Sequence, residues 1–146
     1  MKSIRILLAD GHYISRQGLK TIFGSDEALE VVAEAETSAE LHQFHNDLVP
    51  DAVVIDYTTP GFGLNDIKQI KANRPSLAFV AVTEFTHKEQ VREAMRMGVD
   101  AHIQKDCSHD EIIDSVKAAY GKERFFCGKV LDVIGEDGEH EDFVSC

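Results

Sequence analysis

The chain has 146 residues, of which 43% are hydrophobic and 28% charged, so it can form one domain with a substantial core and is not a disordered protein. Fifteen basic and 26 acidic side chains give a net charge of −11, which disfavours a nucleic-acid surface because phosphate binding requires clustered Lys and Arg. No apolar run approaches the roughly 18 residues of a membrane span. The three cysteines are an odd number without a close pair, which indicates reduced thiols in a cytoplasmic protein.

Short apolar segments alternate with helical patterns along the chain. The predicted strands are Ile4–Ala9, Glu30–Ala35, Ala52–Asp56, Leu77–Thr83 and Ala101–Ile103, and the predicted helices are Ser15–Phe23, Ser38–His45, Leu64–Asn73, Lys88–Met97 and Ser108–Tyr120. Three strands contain continuous apolar runs, as expected for strands that are covered on both faces. The alternation predicts a parallel sheet with helices on both faces.

Local signals mark several helix ends. Capping boxes, in which a hydroxyl and an acid three residues later satisfy backbone N–H groups, are predicted at Thr37 with Glu40, Thr86 with Glu89 and Ser108 with Glu111. Gly98 follows the fourth helix, where a left-handed cap is expected. These signals place four of the predicted helix boundaries.

The composition changes after residue 120. A short helix is predicted over Lys129–Ile134, and residues 135–142 contain five acids and two glycines without Lys or Arg. Such a stretch is typical of a solvated linker. We therefore divide the chain into a domain at residues 1–122 and a C-terminal extension at residues 123–146, and we expect a further domain to follow this linker.

Polar side chains stand at the carboxyl ends of four predicted strands, where ligands of open parallel sheets bind. They are Asp10, Asp56, Thr83 and Lys105. Two carboxylates suit Mg²⁺, which binds through one or two carboxylates, waters and phosphate oxygens. A lysine and a hydroxyl can hold the remaining oxygens of a phosphoryl group, and an aspartate can itself be the nucleophile. The set indicates a site for phosphoryl chemistry.

This arrangement resembles the receiver domain of two-component response regulators. The segments Ile6–His12 and Arg16–Leu19 are most similar to the LuxR/NarL type, and the resemblance over roughly residues 4–120 also includes Pro50–Asp56, Pro60, Ala81–Thr83 and Gly98–Lys105. The resemblance implies a CheY-like, flavodoxin-like fold, which is a doubly wound parallel sheet of five strands with helices on both faces.

The resemblance also implies roles for single residues. Asp56 is the expected phosphoacceptor, Asp10 and Asp56 with the backbone carbonyl of Thr58 are expected to bind Mg²⁺, Thr83 is the switch hydroxyl, Lys105 contacts the phosphoryl group, and His102 takes the position of the switch aromatic. The implied protein is a signalling switch and not a turnover enzyme, and its expected partner is a sensor histidine kinase or a small phosphodonor. Contact with DNA is expected only through a helix-turn-helix output domain beyond this segment, and pairing of two copies stays open.

Three positions depart from the family pattern. Gly11 stands where the family has a second acid that usually binds Mg²⁺ directly, His102 stands at the position of the aromatic switch residue, and Glu84 replaces a small residue. A missing carboxylate should weaken Mg²⁺ binding, and Gly11→Asp should restore it unless the backbone needs the positive φ of glycine. Two interpretations stay open: phosphorylation of Asp56, or an atypical pseudo-receiver that acts as a phosphorylation-independent protein-interaction module.

Other phosphate-binding classes lack their signatures. Neither GxGxxG nor GxxxxGK[ST] occurs, so the glycine cradles of dinucleotide and P-loop sites are missing. A flavodoxin needs a hydroxyl- and glycine-rich loop after the first strand, where this chain has Asp10, Gly11 and His12. A haloacid-dehalogenase-type phosphatase uses DxDx[TV], but Thr58 stands at the position of its second acid.

Overall fold

The computed structural model describes residues 3–85 and 87–135. Its strands are β1 (Ile4–Ala9), β2 (Leu29–Ala35), β3 (Ala52–Ile55), β4 (Ala78–Thr83), β5 (Ala101–Gln104) and β6 (Phe125–Phe126). Its helices are α1 (Tyr13–Gly24), α2 (Ser38–Leu48), α3 (Leu64–Asn73), α4 (Lys88–Met97), α5 (His109–Tyr120) and α6 (Gly128–Gly135). All predicted elements are present, and the largest difference in their bounds is the end of α2. Within the described residues, no helix is long and apolar enough to cross a membrane.

The sheet is parallel and has the strand order β2-β1-β3-β4-β5-β6. Because β1 and β3 are neighbours and their register pairs Ala9 with Ile55, the residues that follow them lie side by side. The register of β4 and β5 pairs Thr83 with Gln104, so Lys105 emerges at the same edge. The topology alone therefore brings the carboxyl ends of β1, β3, β4 and β5 together, at the switch point of a doubly wound sheet.

Alternate residues of the strands supply two cores, one on each face of the sheet. On one face Ile6 and Leu8 pack with side chains of α1 and α5, and on the other face Leu7 and Ala9 pack with side chains of α2 and α3. All four strand residues are fully buried. This burial on both faces explains why the strands appear in the sequence as continuous apolar runs.

Two of the predicted capping boxes fall on described residues. At α5 both hydrogen bonds of the Ser108 and Glu111 box are present. At α2 the Thr37 hydroxyl accepts the Glu40 N–H, but the Glu40 carboxylate accepts the N–H of Glu36, one residue before the cap. The α2 box is therefore displaced by one residue because its acid reaches further back along the chain.

Helix α4 begins at Lys88, as predicted. Thr86 lies outside the described residues, and the N-cap of α4 is His87, whose side chain makes no capping hydrogen bond. The end of α4 is as predicted, since Gly98 has the left-handed conformation, with φ 116°. Helix α4 is thus capped at its C-terminus by the glycine that the sequence indicates.

The prediction of five strands is wrong, because a sixth strand extends the sheet. β6 pairs in parallel with β5, with Ala101 opposite Phe125 and His102 opposite Phe126. Both phenylalanines are buried, and α6 continues from them to bury Val130 and Ile134 against the same core. A two-residue strand is too short to show a periodic pattern. The described part of the C-terminal extension is therefore packed on the domain, and β5 is not the edge of the sheet.

The two described cysteines are buried free thiols. Cys107 follows β5 and Cys127 precedes α6. Burial, followed by the neighbouring Cys127 thiol, raises the pKa of Cys107 to about 12. A thiol with that pKa remains protonated at neutral pH and is a poor nucleophile, so Cys107 serves as a core side chain. Cys127 is also buried in the same core. Cys146 lies outside the described residues.

The packing of β6 predicts a large cost for truncating Phe126. Phe126→Ala should lower the free energy of unfolding by about 3–5 kcal/mol, the usual range for a fully buried phenylalanine. The control is Asp132→Ala on the exposed side of α6, which should leave the stability unchanged. Denaturant melts of the three proteins provide the measurement. Equal stabilities of the two variants would contradict the packed position of β6.

Candidate functional site

The candidate site is built around the ammonium group of Lys105. Its Nζ lies 2.9 Å from Oδ2 of Asp10 and 2.8 Å from Oδ2 of Asp56. Asp10 follows β1, Asp56 follows β3 and Lys105 follows β5, so three strand ends deliver the three charges. The sequence predicts this convergence, and the structure brings the three side chains into direct contact.

A third partner of Lys105 comes from α1. The ammonium donates a hydrogen bond of 3.0 Å to Oγ of Ser15, which lies in the first turn of the helix. Three oxygen atoms, from Asp10, Asp56 and Ser15, therefore surround the ammonium group. Ser15 is 90 positions away from Lys105 in the chain. No pattern in the sequence singles it out, because a serine near a helix start is common.

The other oxygen of each carboxylate holds the chain that follows its strand. Oδ1 of Asp10 accepts the N–H of His12 at 2.7 Å. Oδ1 of Asp56 accepts the N–H of Thr58 at 2.9 Å and the hydroxyl of Thr58 at 2.6 Å. The predicted metal ligand Thr58 is thus tied to Asp56 by two hydrogen bonds. Both carboxylates act as structural acceptors as well as charges.

Both carboxylates are almost fully buried. Asp10 is 1% exposed and Asp56 is 2% exposed. Oδ2 of Asp10 accepts no hydrogen bond of good direction, so its contact with Lys105 is an ion pair. Burial alone would lower the pKa of Lys105, but the two carboxylates, Asp56 first, outweigh it and raise that pKa. The ammonium therefore stays charged at neutral pH and compensates the buried carboxylates.

Gly11 allows the loop after β3 to close over the site. Its N–H donates to Oγ1 of Thr59 at 2.9 Å, and the same hydroxyl donates to the carbonyl of Asp56 at 2.8 Å. A Cβ atom at Gly11 would lie 2.7 Å from the carbonyl oxygen of Pro60. The backbone of Gly11 is outside the left-handed region. Glycine is required by this close approach of the loop and not by its φ angle.

Thr83 lies at the same edge but does not contact the charged cluster through its side chain. Its hydroxyl donates to the carbonyl of Phe85 at 3.0 Å, and its own carbonyl accepts the N–H of Lys105 at 2.8 Å. Glu84 is exposed, and so is the ring of Phe85. The predicted switch hydroxyl is therefore close to the cluster and turned away from it.

His102 is hydrogen-bonded to the residue that follows Asp56. Its Nε2 lies 2.7 Å from the hydroxyl of Tyr57, and the two rings meet edge to face. His102 is fully buried, and burial lowers its pKa to about 4. Burial, followed by the charge of Asp56, raises the pKa of Tyr57. A neutral pair thus links β5 to the end of β3, a contact that sequence reasoning missed because the partners are 45 positions apart.

The side chains at this edge do not fit a magnesium ion. The ion usually keeps several waters, whereas both carboxylates are buried and an ammonium lies between them. Gly11 offers no third carboxylate, and the loop at Pro60 occupies the space beside it. Over residues 3–85 and 87–135, no three His, Cys, Asp or Glu side chains gather into a metal cluster.

Comparison with known proteins identifies a consistent set of relatives. The family profile described as response regulator receiver domain matches residues 6–117. The response regulator protein VraR of Staphylococcus epidermidis RP62A is 29% identical over 130 residues, which are 88% of this chain and 62% of VraR. The uncharacterized transcriptional regulatory protein YhcZ of Bacillus subtilis 168 is 30% identical over 111 residues, which are 75% of this chain and 52% of YhcZ.

Solved structures show the same fold. The LuxR-family two-component response regulator from Aurantimonas sp. SI85-9A1 superposes with a TM-score of 0.87 at 24% identity, over 94% of this chain and 99% of that one. The chain spans 52–62% of the length of the two relatives compared by sequence.

The buried state of His102 predicts a pH dependence of stability. Because its pKa is about 4 in the folded protein and near 6.5 when unfolded, acid favours the unfolded chain, which binds the proton more readily. This contribution is present above pH 6.5 and is lost as the pH falls to about 4, at a cost of up to about 3 kcal/mol. The free energy of unfolding of His102→Gln should therefore fall less steeply than that of the native chain between pH 6.5 and pH 4.

The matched control is His109→Gln, which removes an exposed histidine. Its free energy of unfolding, measured by denaturant melts at several pH values, should change with pH in the same way as that of the native protein. Equal slopes for His102→Gln and the native chain would show that His102 is not held neutral.

Proposed function

Because the chain belongs to the response regulator receiver domain family, we propose that Asp56 accepts a phosphoryl group and that this event switches a downstream DNA-binding output. Response regulators are signalling proteins, and we propose the same role here without catalytic turnover. The observation that carries the proposal is the position of Asp56, which directly follows a buried strand and has a lysine ammonium 2.8 Å from its Oδ2.

The nucleophile is Oδ2 of Asp56. Oδ1 is already held by the N–H and the hydroxyl of Thr58, which fixes the plane of the carboxylate. Lys105, which stays protonated, then stabilises the oxygens of the incoming phosphoryl group. Since Asp56 is 2% exposed, the loop from Thr58 to Pro60 must move before a donor reaches it.

Receiver domains generally bind Mg²⁺ for phosphorylation, and Asp10, Asp56 and the carbonyl of Thr58 are the groups that would face such an ion. When bound, the ion neutralises charge on the phosphoryl oxygens. The donors present in this chain do not fit it, so the proposed step uses Asp56 and Lys105 alone.

We propose a sensor histidine kinase or a small phosphodonor as the source of the phosphoryl group. The chain spans 52–62% of two relatives named as a response regulator and a transcriptional regulatory protein. For the whole protein, we propose that a helix-turn-helix output domain follows this segment. We also propose that two copies of the chain can pair.

A second function is favoured by the closed state of the site. Gly11 in place of an acid, the carbonyl of Pro60 packed against it, and the burial of Asp56 are all features of a receiver that keeps its fold without the chemistry. Such a pseudo-receiver would act as a phosphorylation-independent protein-interaction module. Covalent modification of Asp56 distinguishes the two functions.

We expect Asp56 to be the single modified residue. Incubation with acetyl phosphate should add one phosphoryl group by intact mass, and Asp56→Asn should abolish the gain. Asp10, the other carboxylate in contact with Lys105, is unchanged in this variant, so the variant tests which of the two is modified. Asp110→Asn, which removes an exposed carboxylate at the start of α5, is the control and should be modified like the native chain. Modification of Asp56→Asn would refute the assignment, and no modification of the native chain would favour the pseudo-receiver.

We also expect phosphorylation to alter the surface around β5. A phosphoryl group adds a charge of roughly −1.5 to −2 and strong acceptors, so the hydroxyl of Thr83 should leave the carbonyl of Phe85 and turn toward it. His102, which is hydrogen-bonded to Tyr57, then follows into the space that Thr83 vacates. The affected surface is the face formed by α4, β5 and α5, together with the β6–α6 segment that covers the edge of β5.

Amide exchange measured with and without acetyl phosphate tests this relay. Exchange over Thr83–Tyr120 and α6 should become faster in the native chain and stay unchanged in Asp56→Asn. Unchanged protection of this region in a phosphorylated sample would rule out the relay.

A further inference from the structure

We propose that Lys105 takes the place of the divalent cation in this chain, so that the site binds no Mg²⁺ and Asp56 accepts a phosphoryl group with the Lys105 ammonium as its cation. The inference rests on the proposed phosphorylation of Asp56 and specifies how that step is promoted. Three observations support it. They are the close approach of the loop to Gly11, the partners of Lys105 and the burial of the two carboxylates.

The first support is steric. The residue after Asp10 is the place from which a further carboxylate would reach the site, and there the chain has Gly11. A Cβ atom would lie 2.7 Å from the backbone oxygen of Pro60 and 3.2 Å from the side chain of Thr59. Backbone oxygen cannot rotate away as a flexible side chain can, so any larger residue must displace the loop. The loop therefore occupies the side of the site from which a third ligand would come.

The second support is the set of contacts around the ammonium. Lys105 Nζ lies within 3.0 Å of oxygens from Asp10, Asp56 and Ser15, so one cation bridges both carboxylates. The ammonium therefore already supplies the positive charge that the two buried carboxylates require. The inner oxygen of each carboxylate already accepts backbone N–H groups, from His12 and Thr58. All four carboxylate oxygens thus have a positively polarised neighbour.

The third support is burial. The side chains of Asp10 and Asp56 are each 1% exposed, and that of Lys105 is 15% exposed. Mg²⁺ gives up its waters reluctantly and usually keeps several of them. A hydrated ion would have to open the loop and displace the ammonium from both carboxylates at once. A phosphodonor also requires the loop to move, but it then engages only Oδ2 of Asp56 and leaves the ammonium beside that carboxylate.

The proposed step balances without any other group. A lone pair of Asp56 Oδ2 forms the new bond to phosphorus of an acyl phosphate, and the bond from phosphorus to the acyl oxygen breaks. The electron pair leaves with the carboxylate of the donor, so acetyl phosphate yields acetate and an aspartyl phosphate. No proton is transferred. Lys105 exchanges its contact with the Asp56 oxygen for contacts with the phosphoryl oxygens.

Magnesium binding is tested by thermal melts in magnesium chloride and in a chelator at matched ionic strength. An ion that binds only the native state stabilises it, so the melting temperature rises as the concentration of the ion increases. The native chain should melt at the same temperature in both conditions. Gly11→Asp and its control Gly11→Ala should both melt at a lower temperature than the native chain, and neither should respond to magnesium.

Two results of the melts would overturn the proposal. One is a concentration-dependent rise in the melting temperature of the native chain with magnesium. The other is a magnesium response in Gly11→Asp that Gly11→Ala lacks, since the position would then accept a ligand. The measurement on the native chain stands even if both variants fail to fold.

Phosphoryl transfer is tested by intact mass over time with acetyl phosphate. The rate for the native chain should be the same in magnesium and in the chelator, and Lys105→Met should be slower by about 100-fold, the loss expected for a missing charge-stabilising donor. Lys68→Met, which removes an exposed lysine of α3, should react like the native chain. A gain of one phosphoryl group that occurs only in magnesium would overturn this proposal and leave the phosphoacceptor role of Asp56 intact. No gain in either condition overturns the phosphoacceptor role itself, and the melts then decide the question of magnesium alone.

Discussion

Two carboxylates at the ends of adjacent parallel strands repel each other, and burying them requires a positive charge in contact with both. Asp10 and Asp56 are brought together by the pairing of β1 with β3, and Lys105 at the end of β5 supplies the charge. Removing one partner of a buried ion pair is far more costly than removing a surface pair. The arrangement of the strand ends, the first turn of α1 and the loop after β3 all depend on this contact.

The same contact also bears on the residue that position 11 can hold. A second acid after β1 would add a ligand for a divalent ion, but it would also add a third negative charge that one lysine could not compensate. Glycine at position 11 avoids that charge and lets the loop at Pro60 close. The closed loop keeps water from the ion pair, which strengthens the attraction between the ammonium and the carboxylates. Closure and metal binding are therefore alternatives at this site.

The sequence predicts the elements well because each strand is covered on both faces and appears as a continuous apolar run. It also predicts the meeting of Asp10, Asp56 and Lys105, since the topology of a parallel sheet fixes which strand ends are neighbours. β6 escapes prediction because two residues carry no periodicity. The contacts of Ser15 with Lys105 and of Tyr57 with His102 join residues 90 and 45 positions apart, and only the packed structure brings them together.

The central claim is that Lys105 is the resident cation of two buried carboxylates, and a double-mutant cycle of stability tests it most directly. Lys105→Met should cost about 3–5 kcal/mol of unfolding free energy in the native chain, because it leaves buried charge uncompensated. In the Asp56→Asn background the same substitution should cost at least about 1 kcal/mol less, as expected for residues in contact. A cost that is equal in the two backgrounds to within about 0.5 kcal/mol would contradict the account.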